Sequence, residues 1–305
     1  MIKRTLYFGN EAYLHTRDQQ LVIEFTASDK PSAKVPIEDI GVVVFDSPRL
    51  TFSQRLISRL LDNNVAVITC NDKHMPQGLL LNLDGNSVHQ ERFRYQIEAS
   101  QPLKKNLWQQ TVRAKILNQH ALLKTLHPEN PHDNMLYWAK SVRSGDADNH
   151  EARAAAYYWS TLFSKTIPHF VRGRYEADPN NLLNYGYAIL RAITARALVA
   201  SGMLPVWGIH HHNKYNAYAL ADDIMEPYRP YVDKIVYQLI STRKPEGFSY
   251  PLTTDVKADL LQLPVVDVII DNEKSPLMVA MQRTTASLYR CFEGSNRKIL
   301  YPTFS

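Results

Sequence analysis

Three histidines stand in a row at His210, His211 and His212, and Asp222, Asp223 and Glu226 follow closely in GIHHHNKYNAYALADDIMEPYRP. Imidazole nitrogens and carboxylate oxygens gathered in this way are the donors of a divalent-cation site. Asp223 and Glu226 are three apart, so on a helix they project from one face and suit a hard cation such as Mg²⁺ or Mn²⁺. Arg229 lies three further on, and the same spacing equally makes an ion-pair ladder. Pro227 removes a backbone donor and bends or restarts the chain between them. Neighbours in extended chain point to opposite faces, so either His211 acts alone or His210 and His212 act together. Gly208 and Asn213 bracket the run as loop formers.

Two side chains make an incomplete metal site, and a third must come from elsewhere. The best source is DNHEARAAAYYW, residues 148–159. His150-Glu151 begins like the zinc-protease motif H-E-x-x-H, but Ala154 stands where the second histidine belongs, and that reading fails. Glu151 three residues after Asp148 also makes a capping box. The small residues Ala154, Ala155 and Ala156 permit close approach, by a neighbouring helix or by a substrate.

The elements that must position these groups fall into two halves. Residues 5–83 carry short apolar runs, Leu21-Val22-Ile23, Val42-Val43-Val44-Phe45 and Val65-Ala66-Val67-Ile68. The turn-formers of GNE, TRDQQ, SDKPS and FDSPR separate them, a strand pattern. One helix is expected at 51–63, with Leu56, Leu60 and Leu61 on a face behind a Thr51 or Ser53 cap. After LDGNSVH at 83–89 the period changes. Residues 104–126 place Leu107, Trp108, Val112, Ile116, Leu123 and Leu126 at helical spacing. The segment 178–202 has Asp178 as cap, Pro179 at the first turn, and Gly202 with Pro205 as its stop. The fold class expected is α+β: a small N-terminal β domain (1–86), a linker (87–92) and a larger all-α domain (93–305) that ends in weakly helical, Pro-containing sequence.

Composition bounds the rest. Apolar residues make 45% and charged residues 21% of 305, ordinary for a globular protein. No run is long and apolar enough to span a membrane, and MIKRTLYFGN lacks the apolar core of a secretory signal. Cys70 and Cys291 share no metal-type spacing and read as reduced packing residues of a cytoplasmic protein. Residues 1–86 hold 9 Lys+Arg against 10 Asp+Glu, and the remainder 26 against 20. The positive excess therefore lies wholly in the second part, where it suits a polyanion.

These motifs, in this order, resemble the CRISPR-associated integrase family that inserts new spacers, the first of the CRISPR-associated proteins. LYFGNEAYLHTRDQQLVIEF and VPIEDIGVVVFD look like its β domain, and AKILNQ like a helix near the start of its helical domain. HEARAAAYYW looks like its glutamate helix, DPNNLLNYGYAILRA like its long central helix, and GIHHHNKYNAYALADDIMEPYRPYVD like its histidine-to-carboxylate segment. The short HHNKYN loop is most similar to the branch beside single-protein RNA-guided effectors. The resemblance implies a metal site of Glu151, His211 and Glu226, supported by Asp223. His211 is selected because the family sets its histidine three residues after the glycine. Ala152 stands where the family often has glycine.

The implied activity is that of a metal-dependent DNA endonuclease and integrase using Mg²⁺ or Mn²⁺. It would insert short DNA fragments into a CRISPR array by transesterification, in antiviral defence. The implied partners are double-stranded DNA, a second copy bound through the β domain, and a small ferredoxin-like protein that bridges two dimers into a hetero-hexamer. Arg172, Arg174, Lys214, Arg229 and Lys257 are candidates for phosphate contact, and Asn213 and Asn216 for ordering the loop or touching backbone oxygens. Tyr157, Tyr185 and Tyr187 are expected in the core or an interface, with stacking on a DNA end as the other reading. Two alternatives differ in class: a catalytically silent DNA-binding scaffold, and a hydrolase of small phosphoesters.

Overall fold

The computed structural model describes residues 3–26, 30–82, 86, 88–173, 175–242 and 249–304. Its first part consists of β1 (Arg4–Phe8), β2 (Ala12–Arg17), β3 (Gln20–Glu24), β4 (Ala33–Pro36), β5 (Ile40–Phe45), β6 (Leu50–Phe52), α1 (Gln54–Asp62), β7 (Ala66–Cys70) and β8 (Pro76–Leu80). The strands form two four-stranded sheets, ordered β1-β5-β7-β8 and β4-β3-β2-β6. Strands β1, β5 and β7 run parallel, with Val42 opposite Ala66 and Val44 opposite Ile68. Asp18 and Gln19, both with positive φ, make the tight turn between β2 and β3. The expected helix at 51–63 is α1; Ser53 is its cap and accepts from the Leu56 N–H, while Thr51 lies in β6.

Strand β5 explains how the two parts meet. All six of its residues are buried, as a strand covered on both faces must be. Val43 and Phe45 pack into a core with Leu14, Leu21, Leu56 and Leu60. Val42 and Val44 point the other way and join the large core of the helical part. The sheet is thus the middle layer of a continuous structure.

The second part holds α2 (His89–Ile97), α3 (Gln101–Leu126), α4 (Asp133–Ser141), α5 (His150–Leu162), α6 (Asn180–Ala200), α7 (Ala219–Met225), α8 (Arg229–Thr242), α9 (Thr254–Leu260), the hairpin β9 (Asp267–Ile270) and β10 (Glu273–Pro276), and α10 (Leu277–Glu293). The stretch read as a linker enters α2 at His89, and Ser87 lies outside the described residues. Gln96 of α2 is buried and hydrogen-bonds the chain at Leu204 and Trp207, which fixes α2 against the end of α6.

Three expectations need correction. The helical part is not wholly α, because Asp267–Pro276 pairs as a hairpin around Asp271 and Asn272, both at positive φ. The weakly helical ending instead contains the 17-residue α10. Asp178 does not cap α6; its carboxylate accepts from the Tyr250 N–H at 2.7 Å, and Gly202 at φ +70° follows the helix end. Among the described residues no helix is long and apolar enough to cross a membrane. Cys70 and Cys291 are free thiols.

Candidate active site

Helices α3 and α5 and the turn between α7 and α8 bring Glu151 and Glu226 together, and α7 holds His211 through Asp223. At the start of α5, Asn149 is left-handed, and the Asp146 carboxylate accepts from the backbone N–H groups of His150 and Glu151, each at 3.0 Å. The capping box of Asp148 with Glu151 does not form, because Asp146 has taken that task and Asp148 pairs with Arg143. Glu151 is left with its carboxylate directed at α3. Ala154, fully buried one turn on, leaves the room for α3 and α5 to pack closely.

On α3, Lys115 carries the group that meets it. Its ammonium lies 2.7 Å from Glu151 Oε1 and 2.6 Å from Glu226 Oε2, so one cation bridges carboxylates seventy-five positions apart in the chain. Burial opposes the charge on Lys115, but Glu226 and then Glu151 outweigh it and hold the proton more firmly than usual. Glu226 begins the 3₁₀ turn Glu226–Tyr228 between α7 and α8, where Pro227 restarts the helix. Its other oxygen is 2.9 Å from Arg229 Nε. Burial would raise its pKa, yet Arg229 and Lys115 hold it down to about 2. The Glu226–Arg229 pair is the expected i,i+3 ion pair, buried rather than laid along a surface.

The histidine loop is fastened by Asp223, whose side chain is wholly buried. Its Oδ2 accepts from the backbone N–H of Ile209 at 2.8 Å and of His210 at 2.9 Å. Its Oδ1 lies 2.5 Å from His211 Nδ1. That bond raises the pKa of His211 against the opposing effect of burial, and the fields of Asp223, Glu226 and Glu151 add to it. His211 therefore shares an electrostatic neighbourhood with both glutamates. His210 instead stacks flat on Trp108, with ring centroids 4.1 Å apart, and burial lowers its pKa. His212 is exposed. Asp222 faces the other way, to Arg191 and Asn216. Asn213 and Asn216 order the loop, accepting from the N–H groups of Tyr215 and Tyr218.

A cavity of about 220 Å³ adjoins Glu226 and is lined by Lys115, Gln119, Trp159, Arg172, Tyr187, Glu226, Arg229 and Asp233. Arg172 is held there by the side-chain oxygens of Asn180 and Asn184 and the Gly173 carbonyl. Arg229 lies over the Tyr187 ring, 4.5 Å from its centroid. Asp233 accepts from Tyr158 and Tyr187, and burial pushes its carboxyl up to about 6. Tyr185 is fully buried and Tyr157 bonds His132, in keeping with the core reading of the tyrosines.

The candidate phosphate contacts divide. Arg172 and Arg229 face the cavity, Lys214 is exposed in the histidine loop, and Arg174 lies outside the described residues. Lys257 is corrected: it is 4% exposed, and its ammonium is 2.7 Å from the buried Asp46, so it joins α9 to the β sheet and cannot reach a phosphate.

Sequence reasoning missed Lys115, Gln119 and Asp233. Lys115 had a signal. It falls in step with Trp108, Val112, Gln119 and Leu122 on the buried stripe of α3, and a lysine in phase with such residues needs a buried partner. Among the described residues, no three His, Cys, Asp or Glu side chains are gathered in ion-holding geometry as they stand, and the Lys115 ammonium lies between the two glutamates instead.

The arrangement of two β sheets against a helical half is a fold found in solved structures. A casposase bound to its integration product has a TM-score of 0.80 at 20% identity, covering 98% of this chain and 92% of that one. A chain of a Cas6-RT-Cas1–Cas2 complex has a TM-score of 0.73 at 19% identity, covering 97% of this chain and 35% of that one. The chain belongs to the family of the CRISPR associated protein Cas1, whose model matches residues 6–256. The CRISPR-associated endonuclease Cas1 of Neisseria meningitidis serogroup C (strain 8013) is 32% identical over 300 residues, which is 98% of this chain and 95% of that protein.

Proposed function

We propose that this protein is a divalent-metal-dependent DNA endonuclease and integrase, which inserts short DNA fragments into a CRISPR array by transesterification. One observation carries the reading: Glu151 and Glu226, from separate elements, already share a single cation, and their fields reach His211, whose Nδ1 is anchored by Asp223. The donor set fits Mg²⁺ or Mn²⁺. Two carboxylates supply hard oxygens, and Lys115 marks a place where both accept positive charge. Asp223 at Nδ1 leaves the Nε2 lone pair of neutral His211 for the ion. When bound there, such an ion neutralises charge on a phosphate and favours attack by an oxygen nucleophile.

The chain's own groups account for the rest. Arg172 and Arg229 line the adjoining cavity and offset phosphate charge. In strand transfer a 3′-hydroxyl oxygen of the incoming DNA bonds to phosphorus in the target strand as the opposite P–O3′ bond breaks. The nucleophile's proton is released and the departing 3′-oxygen is protonated. One phosphodiester is exchanged for another, so no external energy source is required. Water as nucleophile gives nicking by the same groups.

The family and a neighbour solved as a casposase–product complex support this reading over a silent scaffold. The occurrence of a structural neighbour in a Cas6-RT-Cas1–Cas2 complex supports a Cas2 partner, for which the family resemblance implies a small ferredoxin-like protein bridging two homodimers. A supercoiled-plasmid nicking and strand-transfer assay with Mn²⁺ tests the proposal. Product is expected from the wild type and is expected to be lost in Glu151→Ala, His211→Ala and Glu226→Ala, with DNA still retained. Absence of metal-dependent product in the wild type supports the scaffold, and turnover of nitrophenyl phosphate without nicking supports a small-phosphoester hydrolase.

A further inference from the structure

Lys115 belongs to two places at once. Its ammonium bridges Glu151 and Glu226, and its side chain also lines the cavity that holds Arg172 and Arg229. A divalent cation held by the same two carboxylates and a lysine ammonium cannot occupy one position, since both need the same oxygens and repel each other. One turn further along α3, Gln119 lines the same cavity. It is 3% exposed, and its Oε1 is buried without a hydrogen-bond partner. A buried acceptor left unsatisfied costs free energy unless something arrives to fill it. Arg172 is a second indication. Its hydrogen bonds go to neutral oxygens, and among the described residues no carboxylate lies within ion-pair distance of it.

We propose that Lys115 is a resident counter-ion that exchanges with the divalent cation: displaced from Glu151 and Glu226, its ammonium moves to Gln119 Oε1 and joins Arg172 and Arg229 in a seat for a DNA phosphodiester. This rests on the metal reading of Glu151, His211 and Glu226. Before the exchange, Lys115 neutralises the glutamates and the seat is weakly cationic. Afterwards the divalent ion neutralises the glutamates and the seat gains a positive charge. Metal and phosphate therefore reinforce each other's binding, and by linkage each tightens the other by the same factor.

Calorimetric titration of Mn²⁺ into the full-length protein, with and without a single-stranded oligothymidylate as probe, tests the exchange. The wild type is expected to bind Mn²⁺ about tenfold more tightly with the oligonucleotide present. Lys115→Met is expected to bind Mn²⁺ more tightly than the wild type in the absence of DNA, since nothing must be displaced, and to lose most of the mutual gain. Gln119→Leu is expected to keep Lys115 on the carboxylates, weakening Mn²⁺ binding and shrinking the gain. Should Lys115→Met fail to fold, a crystal structure of the wild type grown with Mn²⁺ decides, with the ammonium expected beside Gln119. Mn²⁺ uptake lost in Glu226→Gln but unchanged in Lys115→Met and Gln119→Leu overturns the exchange and leaves the metal reading standing. Uptake indifferent to Glu226→Gln overturns both.

Discussion

The Nδ1 atom of His211 lies 2.5 Å from Oδ1 of Asp223, and both oxygens of that carboxylate also hold backbone N–H groups of the histidine loop. A carboxylate that only accepts, placed at Nδ1, fixes the neutral ring with its proton there and its lone pair at Nε2. The position of the loop and the tautomer of its functional ring thus depend on one side chain.

Asp223→Asn is accordingly expected to weaken Mn²⁺ binding by about 10- to 100-fold without unfolding the protein, the scale seen when an orienting partner of a ligand is altered. An amide that turns its NH₂ toward Nδ1 makes that nitrogen an acceptor and moves the proton to Nε2. Asp223→Ala removes the acceptor of the loop N–H groups as well, so its melting temperature is expected to fall too. Calorimetry with thermal unfolding separates the two variants; equal Mn²⁺ affinity in wild type and Asp223→Asn counts against the tautomer argument.

Much of this arrangement was legible in the sequence, and the misses share a physical cause. Periodicity located α3 because its buried stripe is long, start and stop signals bracketed α6, and the turn-formers located the β strands. The motifs brought Glu151, His211, Asp223 and Glu226 to attention by residue type. Partnership was not legible. Nothing local says that Asp146 rather than Asp148 caps α5, that Lys115 reaches two glutamates, or that Lys257 faces Asp46 across more than two hundred residues. A charged residue in phase with a buried stripe, like Lys115, announces its burial but not its partner, which tertiary packing decides. The two-faced burial of β5 was visible in its unbroken apolar run, which alternation alone does not produce.

Asp233 gives the stability of the protein a pH dependence of definite sign. Burial raises its folded pKa to about 6, above the ordinary 3.8, so the folded state disfavours the ionised form. The penalty is fully present above pH 6 and disappears as pH falls toward 3.8, amounting to about 3 kcal/mol from a shift of roughly two units. Glu226 acts oppositely at lower pH: its pKa of about 2 gives stability above 4.5 that is lost as pH falls toward 2. Denaturant titrations of wild type and Asp233→Asn at pH 5 and 7.5 are the check. The variant is expected to gain relative stability at pH 7.5 and to lose about half of that advantage at pH 5.

Breaking the Lys257–Asp46 pair tests how the β sheet is tied to the helical half. Lys257→Met leaves Asp46 buried beside Tyr7 and His74 without its cation, and the expected cost is about 3–5 kcal/mol. Because Lys257 is enclosed, the salt dependence of DNA binding by the folded variant is expected to match the wild type. A changed salt slope with unchanged stability is the result this placement forbids.

Arg172 and Lys214 make the contrasting case, since one faces the cavity beside Glu226 and the other is exposed in the histidine loop. If each neutralises one phosphate, Arg172→Gln and Lys214→Gln each lower the slope of log affinity against log salt by about 1, because one fewer counterion is released. Arg172 is anchored by Asn180 and Asn184, so it brings its charge to the phosphate already oriented, and its loss is expected to weaken binding more than that of Lys214. Fluorescence anisotropy across a salt series reads both quantities. A slope that changes for Lys214→Gln alone places the DNA on the loop and away from the cavity.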